Sequence, residues 1–523
     1  MYVDLKPLEF AAIQRLIGSL TATPYGSDAA ANLSPAPSLA VARSMQAAVT
    51  AARDCIEAGR RPNLAGIPDV RAALRQAAGS GAALSTTAMH HVRVLMRAAV
   101  ELAESLRGID ALFPDGEEAL TPPQSLVEAL DAALTPGGSL REDASSELKA
   151  QFEQRRRLRD EVTQTLSRVR EKSGLAEDRA SPHWHQERAV LTLRAGDAKA
   201  VRGVMRGTAM GGRDHLVEPI EAVPLNNNLD QVNGAINQEQ KRLLRMLTDS
   251  VRAEHATLDR IVAGLTWIDL AFAAGDFSRQ LNAHAPELVD EPVLRLDRAY
   301  HPLLLVQYAS SREPVPQPIP LDLVLDDAQP VVLVTGPNTG GKTVALKTVG
   351  LITAMAHAGL HVPAEGSCTV GHFDRVLVDV GDHQSLYHHL STFAGHVEVL
   401  KRVLDGASSH SLVLLDELGT GTDPDEGAAL AMAMLDELRA RGVRAIVNTH
   451  LAPLKDYASR ETGIVNASMQ FDLDRLAPTY RLSIGEPGVS FGLVIAEKNG
   501  LPSDLVGRAR RYHADLCAVA GKT

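Results

Sequence analysis

A glycine-rich segment in the second half of the chain has the residue types and spacing that bind phosphate. Gly336 and Gly341 are followed by Lys342 and Thr343, in the pattern Gly-x-x-x-x-Gly-Lys-Thr. Glycines let the backbone curl so that several N–H groups point at one anion, the lysine adds positive charge, and the threonine hydroxyl can bind Mg²⁺. The segment predicts a nucleoside-triphosphate site. Its predicted ligands are Gly336, Pro337, Asn338, Thr339, Gly340, Gly341, Lys342, Thr343 and Val344.

Two acids and a histidine follow other apolar runs and could complete this chemistry. Asp416 and Glu417 come directly after the run 412–415, and His450 follows the run 445–447. The aspartate can hold Mg²⁺ directly or through water, and the glutamate can orient or deprotonate an attacking water. A histidine at a strand end can reach a γ-phosphate. The pattern predicts hydrolysis, with Lys342, Glu417 and His450 as catalytic residues and Thr343 and Asp416 as metal ligands.

Short strands and helices must position these groups. The apolar run 331–334 predicts a buried parallel strand, because an unbroken Val/Leu run suits a strand covered on both faces. Residues 344–352 predict a helix whose N-terminus faces the bound anion. Further apolar runs at 374–379, 412–415 and 445–448 alternate with helical segments. This alternation predicts an α/β sheet.

The segment between the two phosphate motifs is rich in hydroxyl and imidazole side chains. Ser391 begins a helical segment, which is a good place for phosphate oxygens. The histidines give no sign of a second coordination shell, so we interpret them as loop and surface residues rather than zinc ligands. They are His383, His388, His389 and His396.

The first half of the chain predicts helices and one small β element. Residues 8–107 are Ala- and Leu-rich and helical in pattern, and 144–171 predict a long helix with a narrow apolar stripe and many arginines. Short strands are predicted at 189–193 and 201–205, and a second long helix at 233–275. Two antiparallel helices with a β tip between them would form a lever. The basic face of the first is equally compatible with phosphate contact and with plain solvation.

Bulk composition narrows the class of protein. A chain of 523 residues predicts two to four domains, and a net charge of -11 carries no overall nucleic-acid signature. Any DNA or RNA contact would use local basic patches. Three distant cysteines suggest neither a disulfide framework nor a zinc site. No apolar run of membrane-spanning length and no signal-peptide pattern is evident, so we expect a cytoplasmic enzyme without membrane contact.

Several of these motifs together resemble one family. The segments 335–350, 390–393, 414–424 and 448–450 are similar to the MutS family of mismatch-repair-type ATPases, as are 217–219, 225–227 and 301–304. The most similar branch is the bacterial one that lacks the mismatch-reading domain. The resemblance implies an α/β ABC-type P-loop ATPase domain that uses ATP and Mg²⁺. It also implies a mainly α-helical N-terminal core and lever with a small β-containing clamp.

The resemblance further implies how the chain is divided and assembled. A helical core would occupy 1–140, the lever helices 141–290 with the clamp tip at about 175–233, and the ATPase domain 291–523. The protein would form a homodimer through the ATPase domain, with Ser391 completing the partner's nucleotide site. Gln384 would link the metal to the lever, and His450 would sense the γ-phosphate.

The resemblance leaves more than one function open. The leading expectation is an ATP-driven clamp on branched or recombining DNA, which suppresses recombination. One alternative is an ATPase that acts on stalled or collided ribosomes, where the clamp would grip RNA or ribosomal protein. Another is a nucleotide-switched scaffold. This branch usually continues into a small MutS-related nuclease domain, and nothing after residues 501–504 resembles it. We therefore do not expect endonuclease activity within this chain.

Overall fold

The structure is a computed structural model that describes residues 2–79, 81–177, 179–313, 315–336, 340–380, 392–472, 475, 477–488 and 492–520. Five predicted site residues lie outside these ranges. They are Pro337, Asn338, Thr339, Gln384 and Ser391.

The described residues form sixteen α-helices and seventeen strands. The α-helices are α1 (Phe10–Gly18), α2 (Pro24–Ala31), α3 (Leu39–Glu57), α4 (Arg71–Ala78), α5 (Thr86–Ser105), α6 (Gln124–Ala133), α7 (Ser146–Lys172), α8 (Val223–Ala253), α9 (His255–Gln280), α10 (Pro302–Ser310), α11 (Lys342–His357), α12 (Thr392–Gly406), α13 (Pro424–Ala440), α14 (Ala452–Arg460), α15 (Gly492–Lys498) and α16 (Ser503–Ala520). The strands are β1 (Tyr2–Val3), β2 (Ala180–His185), β3 (Arg188–Arg194), β4 (Gly203–Ala209), β5 (Asp214–Pro219), β6 (Ala283–His284), β7 (Glu287–Val289), β8 (Leu294–Ala299), β9 (Leu321–Leu325), β10 (Val331–Thr335), β11 (Val362–Pro363), β12 (Thr369–Gly371), β13 (Arg375–Asp379), β14 (Ser411–Leu415), β15 (Arg444–Asn448), β16 (Ile464–Asp472) and β17 (Ala477–Ile484).

The chain divides into two compact units. Unit 1 comprises Met1–Asn63, Leu106–Gly116 and Leu265–Thr523, and unit 2 comprises Leu64–Ser105 and Glu117–Gly264. The predicted boundaries at residues 140 and 290 do not coincide with this division. The N-terminal helices belong to unit 1 because their apolar side chains, such as Phe10, share one core with strand β10 and helix α11. The three-domain scheme stays a prediction.

A seven-stranded sheet forms the centre of unit 1. Its strand order is β1-β13-β14-β15-β10-β16-β17, with parallel neighbours except for the antiparallel β17. Strands β10, β14 and β15 are buried at every residue, which suits the near-continuous Val and Leu content of β10 and β14. The predicted α/β alternation is confirmed here, and the ABC-type arrangement stays a prediction. The carboxyl ends of β13, β14, β15 and β10 meet at one edge, where parallel α/β sheets bind ligands.

Unit 2 contains two long helices and a small sheet. Helix α7 packs against α8 through Leu148 and Phe152, and its other end packs against the sheet through Val162 and Leu166. The sheet has the order β2-β3-β5-β4, with all neighbours antiparallel. The predicted strands and the first long helix are confirmed.

The second long helix differs from its prediction in two ways. Helix α8 begins at Val223 rather than near residue 233, because Pro224 occupies the first turn, where a missing N–H costs no hydrogen bond. The helical segment is also interrupted at Glu254, where α8 ends and α9 follows from His255.

Within the described residues, one helix has the length and hydropathy of a membrane span. Helix α9, His255–Gln280, does so by composition, whereas the sequence predicted no such run. Two thirds of that apolar window is buried inside the protein, at 67%. The same composition serves a core helix, so membrane insertion does not follow from it.

Candidate functional site

The predicted lysine, Lys342, lies at the start of α11 and contacts the backbone of Gly336. Gly336 has φ 133° and Gly341 has φ 93°, conformations that favour glycine. Lys342 is 4% exposed, and its Nζ donates to the Gly336 carbonyl oxygen at 2.5 Å. Burial lowers the pKa of Lys342, while the charges of Asp416 and Glu417 oppose that shift. The arrangement concentrates positive charge at the start of α11, where backbone N–H groups also favour an anion.

The two predicted metal ligands are in direct contact. The Thr343 hydroxyl donates to Asp416 Oδ2 at 2.6 Å, and the Asn448 amide donates to Asp416 Oδ1 at 2.9 Å. Both carboxylate oxygens are thereby oriented. A hydroxyl and a carboxylate are hard oxygen donors, and Mg²⁺ in nucleotide sites takes one or two such protein ligands together with phosphates and water. The described residues therefore fit Mg²⁺, which Thr343 and Asp416 would hold.

The ranges that the structure describes contain no larger group of side chains that could bind a metal ion. No group of three or more His, Cys, Asp or Glu side chains converges there. His383, His388 and His389 lie outside those ranges.

Glu417 and His450 follow the ends of two neighbouring strands. Glu417 is exposed and has φ 54°, a left-handed conformation that is uncommon for residues other than glycine. Such strain is concentrated at functional sites. His450 is also exposed, and the residue before it is fixed because the Thr449 N–H donates to the Val334 carbonyl at 3.1 Å. Both predicted catalytic side chains therefore stand at the same sheet edge as Lys342.

A pair of residues that the sequence reasoning missed lies beside these acids. Asp379 ends β13, and its Oδ2 is 3.3 Å from Nδ1 of His396 on helix α12. The bond to Asp379 raises the pKa of His396, although burial opposes the shift, and the charges of Asp379, Glu417 and Asp416 add to the rise. The interpretation of His396 as a loop or surface histidine is wrong, because its side chain is only 15% exposed and helical. The signal available in sequence was an acid at the end of a predicted strand.

An apolar cavity of about 330 Å³ adjoins the phosphate loop. Gly341 and Val344 form its edge towards the loop, and Tyr308, Ile319 and Tyr480 contribute apolar and aromatic surface. His301 also lines it, and burial lowers the pKa of His301 to about 4, so that the ring is neutral near pH 7. The flat apolar faces of a nucleobase suit such walls. Of the residues here, only Val344 and Gly341 were among the predicted ligands, because the segment 315–320 reads in sequence as a proline-rich connection.

Comparison with known proteins places this part of the chain in a family. The family model of MutS domain V matches residues 332–517. Endonuclease MutS2 of Halothermothrix orenii is 33% identical over 518 residues, which cover 96% of this chain and 64% of the relative. The protein of the same name from Symbiobacterium thermophilum is 36% identical, covering 97% and 63%, and that from Thermus thermophilus is 35% identical, covering 97% and 65%.

The fold and the site thus define a protein with a MutS-type ATPase domain. The chain belongs to the MutS family, and nearly its whole length is similar to MutS2-type members. It spans about 64% of the length of such curated relatives.

Proposed function

We propose that this protein is an ATPase that hydrolyses ATP to ADP and phosphate and uses the cycle to operate a DNA clamp. The observation that carries the proposal is the contact of Thr343 with Asp416 at 2.6 Å beside the buried Lys342. This is the arrangement that a Mg²⁺-bound nucleotide requires, because it places oxygen ligands and a cation at one helix N-terminus.

In the proposed reaction each side chain has one task. The backbone of 336–343 and the ammonium of Lys342 bind the β- and γ-phosphates, while Thr343 and Asp416 hold Mg²⁺, which neutralises charge on those phosphates. Glu417 orients a water and accepts its proton as the water oxygen bonds to the γ-phosphorus. The bond from that phosphorus to the β–γ bridging oxygen breaks, and the electron pair leaves with ADP. His450 stands where it can contact the γ-phosphate.

The adenine ring of ATP is proposed to occupy the apolar cavity next to the phosphate loop. Val344 and Ile319 provide apolar contact, and Tyr480 approaches Gly341 closely, since a Cβ at Gly341 would stand 3.0 Å from its ring. Phosphates and base then lie on opposite sides of the start of α11. Affinity for the base would come from apolar burial and stacking.

Dimerisation belongs to the same proposal. Two protomers would bury ATP between their ATPase domains, with Ser391 of each chain completing the other chain's site and Gln384 contacting the metal. Support comes from the family membership and from the position of α12, which begins directly after Ser391. Hydrolysis would then depend on protein concentration, because a monomer has an incomplete site.

DNA is the proposed partner of unit 2. Arginines give helix α7 its basic character, and two of them stack on aromatic rings, Arg155 on Phe152 and Arg159 on Trp184. An exposed basic surface binds phosphates without reading bases, so structure rather than sequence of the DNA would decide affinity. Branched or junction DNA is the proposed substrate.

One binding series tests the proposal. Affinity is measured for duplex, fork, four-way junction and purified ribosomes, with and without ATP, together with turnover of the wild type and of Glu417→Gln. We expect tighter binding to junction than to duplex, a change of that affinity with ATP, and loss of turnover in Glu417→Gln. Preferential binding of ribosomes would replace the DNA assignment, and turnover that survives in Glu417→Gln would overturn the site.

A further inference from the structure

The side chain of Asp379 is buried near Asp416 and Glu417, but it has no role in the proposed reaction. It is 4% exposed and lies at the end of β13, next to the strand that leads to Asp416. A buried carboxylate is costly unless a partner compensates it. One side-chain contact of Asp379 is to His396 Nδ1, at 3.3 Å, so a helix residue helps to compensate an acid of the sheet.

Asp379 also contacts the metal-binding residue through its main chain. The N–H of Asp416 donates to the Asp379 carbonyl oxygen at 2.8 Å. One residue therefore reaches in two directions, to Asp416 through its backbone and to helix α12 through its carboxylate. A narrow cavity of about 10 Å³ is bordered by Asp379, His396 and Asp416, so the histidine and the metal-binding acid face the same space.

The position of His396 within α12 gives the contact its significance. The helix starts at Thr392, so His396 lies in its second turn. Among the α12 residues whose side chains the structure describes, the apolar ones that pack on the sheet, Val399, Leu400 and Val403, come later. The histidine contact is thus nearer in sequence to Ser391 than these apolar contacts are. Displacing a group that takes part in a reaction by about 1 Å can lower the rate by about two orders of magnitude.

We propose that the Asp379–His396 pair is a positioning contact that couples the two nucleotide sites of the dimer. In each chain, this pair links the strand end that carries the metal-binding residue to helix α12. It thereby fixes where the start of α12 lies in the nucleotide site of the partner chain. His396 therefore serves the reaction of the partner chain, not that of its own. This inference rests on the proposed ATPase dimer and adds the route by which one site senses the other.

The first measurement compares single variants. His396→Ala is expected to bind a fluorescent ATP analogue normally and to lower kcat by about 10-fold or more, with KM changed little. His396→Asn keeps an amide donor close to the place of Nδ1 and should recover part of the rate. The matched control is His372→Gln, which removes a His–Asp pair of similar length, 3.0 Å to Asp374, away from the site. Equal rates for His396→Ala and this control would overturn the proposal.

The second measurement separates action on the partner from action within one chain. His396→Ala and Glu417→Gln chains are each deficient alone and are then mixed. In a mixed dimer, the site with an intact Glu417 meets the intact α12 of the other chain, so turnover should return at one site of each mixed dimer. If His396 acts only within its own chain, that site stays impaired and mixing restores nothing, which refutes the coupling. A wild type without turnover would instead refute the ATPase proposal itself.

Discussion

The hydroxyl of Thr343, at the start of α11, lies 2.6 Å from a carboxylate oxygen of Asp416, which directly follows β14. The two residues are far apart in sequence and meet because their strands end at the same sheet edge. Asn448, at the end of β15, holds the other Asp416 oxygen. Three adjacent strands thus build one oxygen-rich position for a hard cation.

Removing the charge of Asp416 tests that position. Asp416→Asn keeps the size of the side chain but replaces one anionic oxygen by an amide, so Mg²⁺ should bind more weakly and ATP turnover should fall by about 100-fold or more. Steady-state turnover against Mg²⁺ concentration measures this. Asp504→Asn, an exposed acid on α16, serves as the control. Unchanged Mg²⁺ dependence in Asp416→Asn would show that the metal binds elsewhere.

Glu417→Gln should separate nucleotide binding from hydrolysis. The amide retains the side-chain shape but cannot accept the proton of the attacking water, so kcat should drop by about 100-fold or more while ATP affinity stays within a few-fold. Rapid-quench turnover and equilibrium nucleotide binding give the two numbers. An ATP-bound dimer should also persist longer, which light scattering can follow. A variant that loses affinity and rate together would assign Glu417 to binding instead.

Filling the apolar cavity beside the phosphate loop should weaken binding of the adenine ring and leave binding of the phosphates unchanged. Val344→Trp adds a large ring at an exposed residue of the cavity wall, so the Kd for ATP should rise by about 10-fold. Inorganic triphosphate has no base and should compete for the phosphate loop as well as in the wild type. Equal losses for both ligands would mean that the substitution disturbs α11, and no loss for either would exclude the cavity as the base site.

Unit 2 offers a stability test at a buried acid. Glu218 is 0% exposed and accepts from Arg188 at 2.6 Å, Arg206 at 2.5 Å and Asn226 at 2.8 Å. Glu218→Ala leaves those donors without their common acceptor, and the free energy of unfolding should fall by about 3 kcal/mol. Urea unfolding measures it, with the exposed Glu221→Ala as control. A loss below about 1 kcal/mol would mean that water replaces Glu218 as the acceptor for these three donors.

Local patterns in sequence are sufficient to predict the phosphate loop and the acids at strand ends. Lys342, Thr343 and Asp416 follow from short motifs because glycine turns and buried strands leave a local signature. The Asp379–His396 pair and Asn448 depend on which strands become neighbours, and the order β13-β14-β15-β10 is not encoded in any one segment. The cavity likewise joins residues from 301 to 480. The start of α8 at Val223 was missed because the periodic apolar pattern becomes clear only further along the helix.

Buried and partly buried histidines should make unit 1 sensitive to mild acid. Burial lowers the pKa of His301, His357 and His361 to about 4 each, from an ordinary value of about 6.5. The folded protein therefore favours the neutral rings, whereas the unfolded chain binds protons below pH 6.5. Stability from these groups is complete above that pH and is lost as the pH falls towards 4.

His361 gives this pH dependence a specific test. Its ring nitrogens lie 2.9 Å from Thr50 Oγ1 and 2.7 Å from Ser278 Oγ, which holds the ring in place between two hydroxyl groups. Between pH 7 and pH 5 the wild type should lose about 1–2 kcal/mol for each such histidine, because each pKa unit is worth about 1.4 kcal/mol. Urea unfolding of His361→Gln at both pH values should show a smaller loss, since glutamine does not titrate. An exposed histidine, His410→Gln, should leave the wild-type difference unchanged. If His361→Gln keeps the full difference, the acid sensitivity arises from other groups.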